Sequence, residues 1–573
     1  MTRDIISELS RQGLVDSFDS ELARALCAMV DGTDGAVELA VALTSRHVRH
    51  GHACMPLDPS AVRPLSLASP EQSAWSKLPA GDTWVETVRQ SALTVDGPLV
   101  VDPAGRLYLR RYFEFERDIA RALGERSALE RNEPIARSDD VEESLDRLLG
   151  KDPGPRRQAA ENALAYRVSV LCGGPGTGKT TTVAAIAACL VEGHQRGGRS
   201  DPKVLLLAPT GKAAARLGGA VVRAKATLDT DDKVLACIPD EATTLHRALG
   251  MRRQGLSFRR GPDFPLDADV VVVDEASMVD LALMRQLLIS ISPRAKLLIV
   301  GDPDQLSSVE AGSVLRDLVR AGDETWWKGR VTTLTTTYRY DGAATLGRLV
   351  GALRSGDIAT MHALLEAHHG EVALGGVHEL DTELDEAARR WGHILEPRDP
   401  EEHFARRGGF VVLSAFRRGP FGTAALGRRI AEKLPGNRSE SRPIIVEENR
   451  HELGLYNGDL GLTFDRDGST WAVVERARGA IAEFAAVRLP RHADGFALSV
   501  HKAQGSEFDE VLVVLPDQPG PLLTRELLYT AVSRARRRVR LVGSAEVIAL
   551  ALSERARRFS GLVDRIAELA PPR

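Results

Sequence analysis

Short apolar runs punctuate much of this chain, with longer stretches of helical periodicity between them. Residues 168–171, 204–207, 270–273 and 297–300 are largely aliphatic, and each gives way to a turn and then to apolar positions spaced three or four apart. Strands that are apolar on both faces need cover on both faces, so this pattern predicts a parallel sheet wrapped by helices. The same pattern returns at 410–413 and 511–515 and predicts a second α/β domain after about residue 335. Between about 440 and 496 the apolar runs 443–446, 460–464, 471–474 and 485–489 succeed one another without helices, which predicts a small β domain inserted in the second one. Residues 1 to about 120 are mostly helical in period, with one hairpin expected where 98–101 and 107–109 flank the turn Asp102-Pro103-Ala104-Gly105. A polar stretch, Lys151-Asp152-Pro153-Gly154-Pro155, separates that region from the first α/β domain.

A length of 573 residues supports this division, because one hydrophobic core stops growing well below that size. Hydrophobic residues at 43% and charged residues at 27% are those of a globular chain, with no apolar run near the roughly 18 residues a membrane span needs. The N-terminus lacks the basic start and apolar stretch of a secretory signal, and a cytoplasmic protein is expected. Five cysteines stand far apart without a CxxC pair, so neither a disulfide framework nor an iron-sulfur cluster is indicated. His47, His50, His52 and Cys54 crowd one short stretch whose spacing fits no common zinc site, and a helix end followed by a turn is expected there. A net charge of −4 excludes a protein that coats nucleic acid by bulk positive charge; any such contact is a local channel. Arg252-Arg253, Arg259-Arg260, Arg417-Arg418 and the run from Arg534 to Arg540 read as solvated faces.

The chemistry begins after the first aliphatic run. Gly173-Gly174-Pro175-Gly176-Thr177-Gly178-Lys179-Thr180 fits GxxxxGK[ST] between a strand and a helix expected to start near Thr180. Glycines let backbone amides wrap phosphates, Lys179 brings a positive charge to the β and γ groups, and the Thr180 hydroxyl suits Mg2+; Thr181 comes next in the same binding segment. The run 270–273 ends in Asp274-Glu275, where one carboxylate orients the metal ion and the other polarises the attacking water. Asp274 joins Thr180 as a metal ligand in this reading, and hydrolysis of ATP with Mg2+ is the expected reaction. Gln305, in Gly301-Asp302-Pro303-Asp304-Gln305-Leu306, comes after a strand and can sense the γ-phosphate. Arg339 in Thr337-Tyr338-Arg339 and Arg534 in Tyr529-Thr530-Ala531-Val532-Ser533-Arg534 each bring an arginine from outside the first domain. An arginine supplied by a second domain ties hydrolysis to closure of a cleft.

Taken in order, GGPGTGKTT, APTGKAAARL, VDEASM, GDPDQL, TYR, VHKAQGSEF and YTAVSRAR resemble the motifs of superfamily 1 helicases, over about residues 155 to 545. Thr244-Leu245-His246-Arg247-Ala248-Leu249, Leu455-Tyr456-Asn457-Gly458-Asp459 and Arg418-Gly419-Pro420-Phe421-Gly422 are similar to the RecD branch in particular. That resemblance implies two RecA-like P-loop domains, a helical N-terminal domain and an SH3-like inserted β domain. The expected boundaries are 1–145 for a partner-docking domain, 150–335 for the first motor domain with a duplex-parting hairpin at about 250–264, and 336–573 for the second, with its insert at about 440–496. It further implies that Gln158 reads the adenine, that Gly505 and Glu507 contact nucleotide, and that Thr210, Lys212, Thr244, His246, Asn457, His501 and Lys502 lie along DNA. Ala503 stands where the family more usually has serine, and Gly427 where asparagine is expected.

The activity implied is a 5'–3' DNA helicase working on duplex ends and single strands with a 5' end. Its partners would be a RecB-like helicase-nuclease and a RecC-like scaffold, in an exodeoxyribonuclease V complex serving recombinational repair. Two alternatives are a stand-alone RecD-like helicase and a regulatory subunit that binds ATP and DNA with little motor work. The N-terminal 150 residues lack the paired Gly-x-Gly hairpins of the longer stand-alone relatives, and intact Glu275, Arg339 and Arg534 favour a working motor. No carboxylate and lysine cluster outside the ATP site suggests a nuclease.

Overall fold

The computed structural model describes all residues except 1, 59–77, 80, 133–138, 197–199, 253–256, 341, 368–369, 397–398, 435–440, 467, 476–480, 521 and 570–573. The aliphatic runs of the first motor domain form one parallel sheet of six strands. Its order is Thr243–Thr244, Val204–Ala208, Val270–Val273, Lys296–Gly301, Val168–Gly173, Val331–Leu334. Side chains alternate along each strand, so a single run serves two cores. Val271, Val273, Leu297, Ile299, Val170 and Cys172 enter one. Val270, Val272, Leu298, Val300 and Leu171 enter the other, where the helices Lys179–Arg196, Pro155–Ala165 and Gly211–Lys225 contribute Val183, Ile186, Ala159 and Leu217.

The cover on the opposite face corrects two expected boundaries. Helix Arg110–Asn132, expected in the N-terminal domain, lies on the first sheet: Ile119 and Leu123 join its core, and the buried Arg126 donates to Leu288 O (3.0 Å) and Ile291 O (3.1 Å). The C-terminal helix Leu562–Glu568, expected in the second motor domain, returns to the same core with Leu562, Val563 and Ile566. A sheet apolar on both faces must be covered, and these amphipathic helices carry the matching apolar stripe.

In the second motor domain five parallel strands are ordered Val372–Gly375, Ala535–Val542, Phe508–Val514, Phe410–Ser414, Ala497–Ser499. The insert is a five-stranded antiparallel sheet, Ile481–Ala485, Ser469–Glu475, Leu460–Arg466, Ser441–Val446, His492–Asp494. Its expected strand at 485–489 is displaced: the strand ends at Ala485, and Ala486–Arg488 form a 3-10 turn that leaves Val487 90% exposed. The inward alternation of Ala482 and Phe484 with exposed Glu483 sets the true register. Buried Arg407 docks the insert onto the domain, donating to Gly461 O at 2.9 Å. The expected hairpin near 250–264 is flanked by the bridges Met251↔Phe258 and Gly261↔Phe264; Arg253 and the rest of its tip lie outside the described residues.

The N-terminal module packs helices Thr2–Arg11, Ser17–Cys27, Gly35–Arg49 and Gly81–Arg89 around one core with a three-stranded sheet, Met55–Pro56, Arg106–Leu109, Leu99–Val101. The last two strands are the expected hairpin, closed by Gly105 at φ +73°. His52 stacks on Phe559, ring centroids 4.9 Å apart, and His47 Nδ1 bonds Leu43 O (2.7 Å), so this stretch seats the returning C-terminus. Among the described residues, no group of three or more His, Cys, Asp or Glu is placed to hold a metal ion. No described helix is long and apolar enough to cross a membrane.

Two segments converge on Glu116. Its buried carboxylate accepts from Ser560 Oγ (2.8 Å), Gly561 N (3.0 Å) and Tyr108 Oη (3.2 Å). Burial pushes its carboxyl up to about 7; Asp317 adds repulsion, while Ser560, Gly561 and Arg106 oppose the rise. The folded chain therefore holds a proton there that the unfolded chain releases at ordinary carboxylate pH. The stability from this site is full below that range and is lost as pH rises through about 7, on the order of 1–3 kcal/mol. Urea unfolding at pH 5 and pH 8 should show the fall, and Glu116→Gln should flatten it; an equal slope in the variant would assign the effect elsewhere.

Candidate nucleotide site

The strand Val168–Gly173 is buried throughout and delivers its carboxyl end to a glycine turn. Gly176 and Gly178 take φ of +75° and +78°, which admits glycine without strain. A Cβ on Gly176 would also fall 2.2 Å from the Cβ of Arg339, so the turn leaves no room for a side chain. Thr177 Oγ1 closes the turn on Gly174 O (2.9 Å), and Lys179 Nζ reaches Gly173 O (2.7 Å) and Gly174 O (2.9 Å). Thr180 is half-buried and Thr181 exposed on the first turn of helix Lys179–Arg196. The segment leaving the sheet drapes over the loop, with Tyr338 N donating to Gly176 O (2.8 Å) and Thr337 Oγ1 to Pro175 O (3.3 Å).

Asp274 and Glu275 come directly after the strand Val270–Val273. Burial, and then repulsion from Glu275, raise the Asp274 carboxyl above its usual range, while Lys179 draws it down. Glu275 N donates to Asp274 Oδ1 at 2.8 Å. Glu275 itself sits at φ +52°, ψ +40°, one of two non-glycine residues at positive φ among those described. Such strain persists where surrounding structure enforces it, and it gathers at functional sites.

The two motor domains meet here. Buried Gln305 accepts from Arg534 Nη2 at 3.1 Å, and its Nε2 donates to Asp302 Oδ2 at 2.9 Å. Leu306 N donates to Thr530 Oγ1 (2.9 Å) and Gln504 Nε2 to Leu306 O (3.0 Å). Glu507 collects three arginines: Arg339 at 2.5 Å, Arg536 at 3.4 Å, and Arg216 from the first domain. Those cations hold its carboxyl below the usual range against the effect of burial. Arg339 also donates to Ser533 O (3.2 Å).

Residues 11–108 match the family described as RecBCD enzyme subunit RecD, N-terminal domain; 156–311 match an AAA domain and 494–542 a UvrD-like helicase C-terminal domain. RecBCD enzyme subunit RecD of Mycobacterium tuberculosis is 38% identical over 98% of this chain and 96% of its own length. The subunit of the same name from Mycolicibacterium smegmatis is 38% identical over 96% of this chain and 98% of its own. The ATP-dependent RecD2 DNA helicase of Deinococcus radiodurans is 32% identical over 82% of this chain but 61% of its own length. The chain belongs to the RecD family. It is a DNA helicase with ATPase activity, built on two RecA-like domains.

In this RecD-family chain the residues expected along DNA fall into two groups. Thr210 and Thr244 both cap helices, accepting from Ala213 N (3.2 Å) and Arg247 N (3.3 Å), and their strands pair side by side through Ala208↔Thr244. Lys212 lies on the first turn of the helix that Thr210 caps; burial, then Arg407, lower its pKa to about 8. The insert faces this turn: the Tyr456 ring lies 3.4 Å from a Cβ built on Gly211, and Gly505, at φ +71°, approaches Ala213. Asn457 is exposed beside them. His246 stacks on Phe258 (6.4 Å), Lys502 Nζ bonds Glu447 (2.7 Å), and burial lowers the pKa of His246 and His501. Gln158 is exposed on its helix and bonds Asn162 (3.0 Å). Ala503 is wholly buried, where a serine hydroxyl would need a partner; a Cβ on Gly427 would meet Asp494 and Phe496 in ordinary contact at 3.8 Å, so nothing in the structure explains the glycine there.

Sequence reasoning passed over Asp302, Tyr529, Thr530, Gln504 and Arg216. All five bond across the domain seam in this site, Arg216 through its ion pair with Glu507. The signal lay in the motifs themselves, since each of the five stands inside one of the helicase-like segments. Gly176→Ala should cost about 1–3 kcal/mol through its left-handed backbone and displace Arg339, read as a lower Tm and weaker binding of a fluorescent ATP analogue. Unchanged affinity would show that the turn tolerates a side chain.

Proposed function

We propose that this chain is the 5'–3' motor subunit of a RecBCD-type helicase-nuclease acting at DNA ends, partnered by RecB-like and RecC-like subunits. The observation that carries the motor reading is the bond between Gln305 of the first domain and Arg534 of the second, beside Lys179 and Asp274. A group that senses the γ-phosphate and an arginine that stabilises its transfer then act only when the cleft closes. Lys179 holds the β and γ oxygens, Glu275 orients the attacking water, and Arg339 and Arg534 meet the charge that develops. The Thr180 hydroxyl and Asp274 carboxylate are hard oxygen donors that suit Mg2+, which neutralises phosphate charge when bound. Thr210, Lys212, Asn457, Gly505 and the insert, whose size suits an SH3-like element, are read as lining the path of a single strand.

The subunit reading is favoured over the stand-alone one by likeness: two RecD subunits are each 38% identical to this chain, against 32% for the RecD2 helicase. The test is single-strand-stimulated ATPase and unwinding of 5'-tailed against 3'-tailed duplexes by the full chain, with Lys179→Gln as control. The expected result is ATP-dependent unwinding of the 5'-tailed duplex, lost in the control. Preference for the 3' tail would reverse the polarity, and absence of DNA-stimulated ATPase would sink the motor reading. Glu275→Gln and Arg534→Ala should each lower kcat by on the order of 100-fold or more.

A further inference from the structure

The bonds at the domain seam close into a ring. Tyr529 Oη donates to Asp302 Oδ2 at 2.9 Å; Gln305 Nε2 donates to the same oxygen at 2.9 Å; Gln305 Oε1 accepts from Arg534 Nη2 at 3.1 Å. Arg534 Nε then donates to Thr530 O (3.1 Å), which returns the ring to the helix Arg525–Val532 that carries Tyr529. All five residues are buried, and the ring crosses between domains twice. Tyr529 touches a third element as well: a Cβ built on Gly174 of the phosphate loop would lie 3.0 Å from its hydroxyl.

We propose that Tyr529 and Asp302 are a positioning pair for ATP hydrolysis, fixing the orientation of Gln305 and linking it to the phosphate loop. This pairing rests on the nucleotide-site reading and extends it to two residues to which that reading gives no role. Asp302 accepts at both oxygens, from Asp304 N at Oδ1 (3.1 Å) and from Tyr529 and Gln305 at Oδ2, so it selects the Gln305 orientation with Nε2 toward itself and Oε1 toward the guanidinium. Reversing the amide would set oxygen against oxygen and nitrogen against nitrogen at once. Tyr529 holds Asp302 in place from the opposite domain, so the arrangement forms as the domains come together. The Tyr529 hydroxyl donates to a carboxylate of the other domain. That bond reaches across a surface that the working cycle must open and close.

The test compares the full chain with Tyr529→Phe, Gln305→Ala and the double variant in single-strand-stimulated ATPase across a range of ATP concentrations, with Lys179→Gln alongside. Tyr529→Phe removes one hydroxyl and leaves Asp302 bonded to Gln305 and to Asp304 N (3.1 Å). The expected result is a kcat at least tenfold lower with KM for ATP within threefold and Tm unchanged. The double variant should be no slower than Gln305→Ala alone, because both act through one amide. Wild-type kcat in Tyr529→Phe, a rise in KM without a fall in kcat, or losses that multiply in the double variant would overturn the proposal. A loss of Tm matching the loss of kcat would reassign Tyr529 to the core. Full ATPase in Lys179→Gln would instead sink the nucleotide-site reading, and this proposal with it.

Discussion

Parallel strands buried on both faces have no room for polar chemistry along their length, and this constraint orders the rest of the molecule. Polar groups collect at the strand ends, where the backbone turns and the helices begin. The glycine turn after Val168–Gly173, the two carboxylates after Val270–Val273 and the loop after Lys296–Gly301 are three such ends side by side in one sheet. Strand order thus assembles a site from segments far apart in the chain. The second sheet contributes through the helix Arg525–Val532 and through Arg534, between that helix and the strand Ala535–Val542, and the two domains meet along this seam.

Local features were the legible ones in the sequence. The aliphatic runs marked four of the six strands of the first sheet, because burial on two faces leaves little choice of residue, and missed Thr243–Thr244 and Val331–Leu334. The glycine loop and the paired carboxylates were legible because their chemistry needs neighbours in sequence. The fourth insert strand was placed late, since Val487 and Leu489 continue the apolar pattern past the point where the chain turns outward. The C-terminal helix was assigned to the wrong body because an amphipathic stripe reveals that a helix is covered and not by what.

Cross-seam side chains were legible where they carry a charge or amide of known use, such as Gln305 and Arg534, and not otherwise. Tyr529, Thr530 and Asp302 are ordinary residues for a helix and a turn, and their partners lie in the other domain. Thr210 and Thr244 show the converse: hydroxyls expected along DNA also serve as helix caps, and one oxygen can fill both positions. Glu507 is more constrained than its motif suggests, because three arginines from two domains already neutralise it.

The return of the C-terminus to the first sheet changes how the motor can bend. The chain leaves the first body after the strand Val331–Leu334 and comes back with the segment around Phe559, which stacks on His52. The second motor domain is therefore an excursion from the body that packs both Val331–Leu334 and Leu562–Glu568, joined to it by two covalent crossings. A domain held by two crossings has fewer ways to move against its neighbour than one held by a single linker, so the second crossing narrows the set of arrangements from which the seam must re-form.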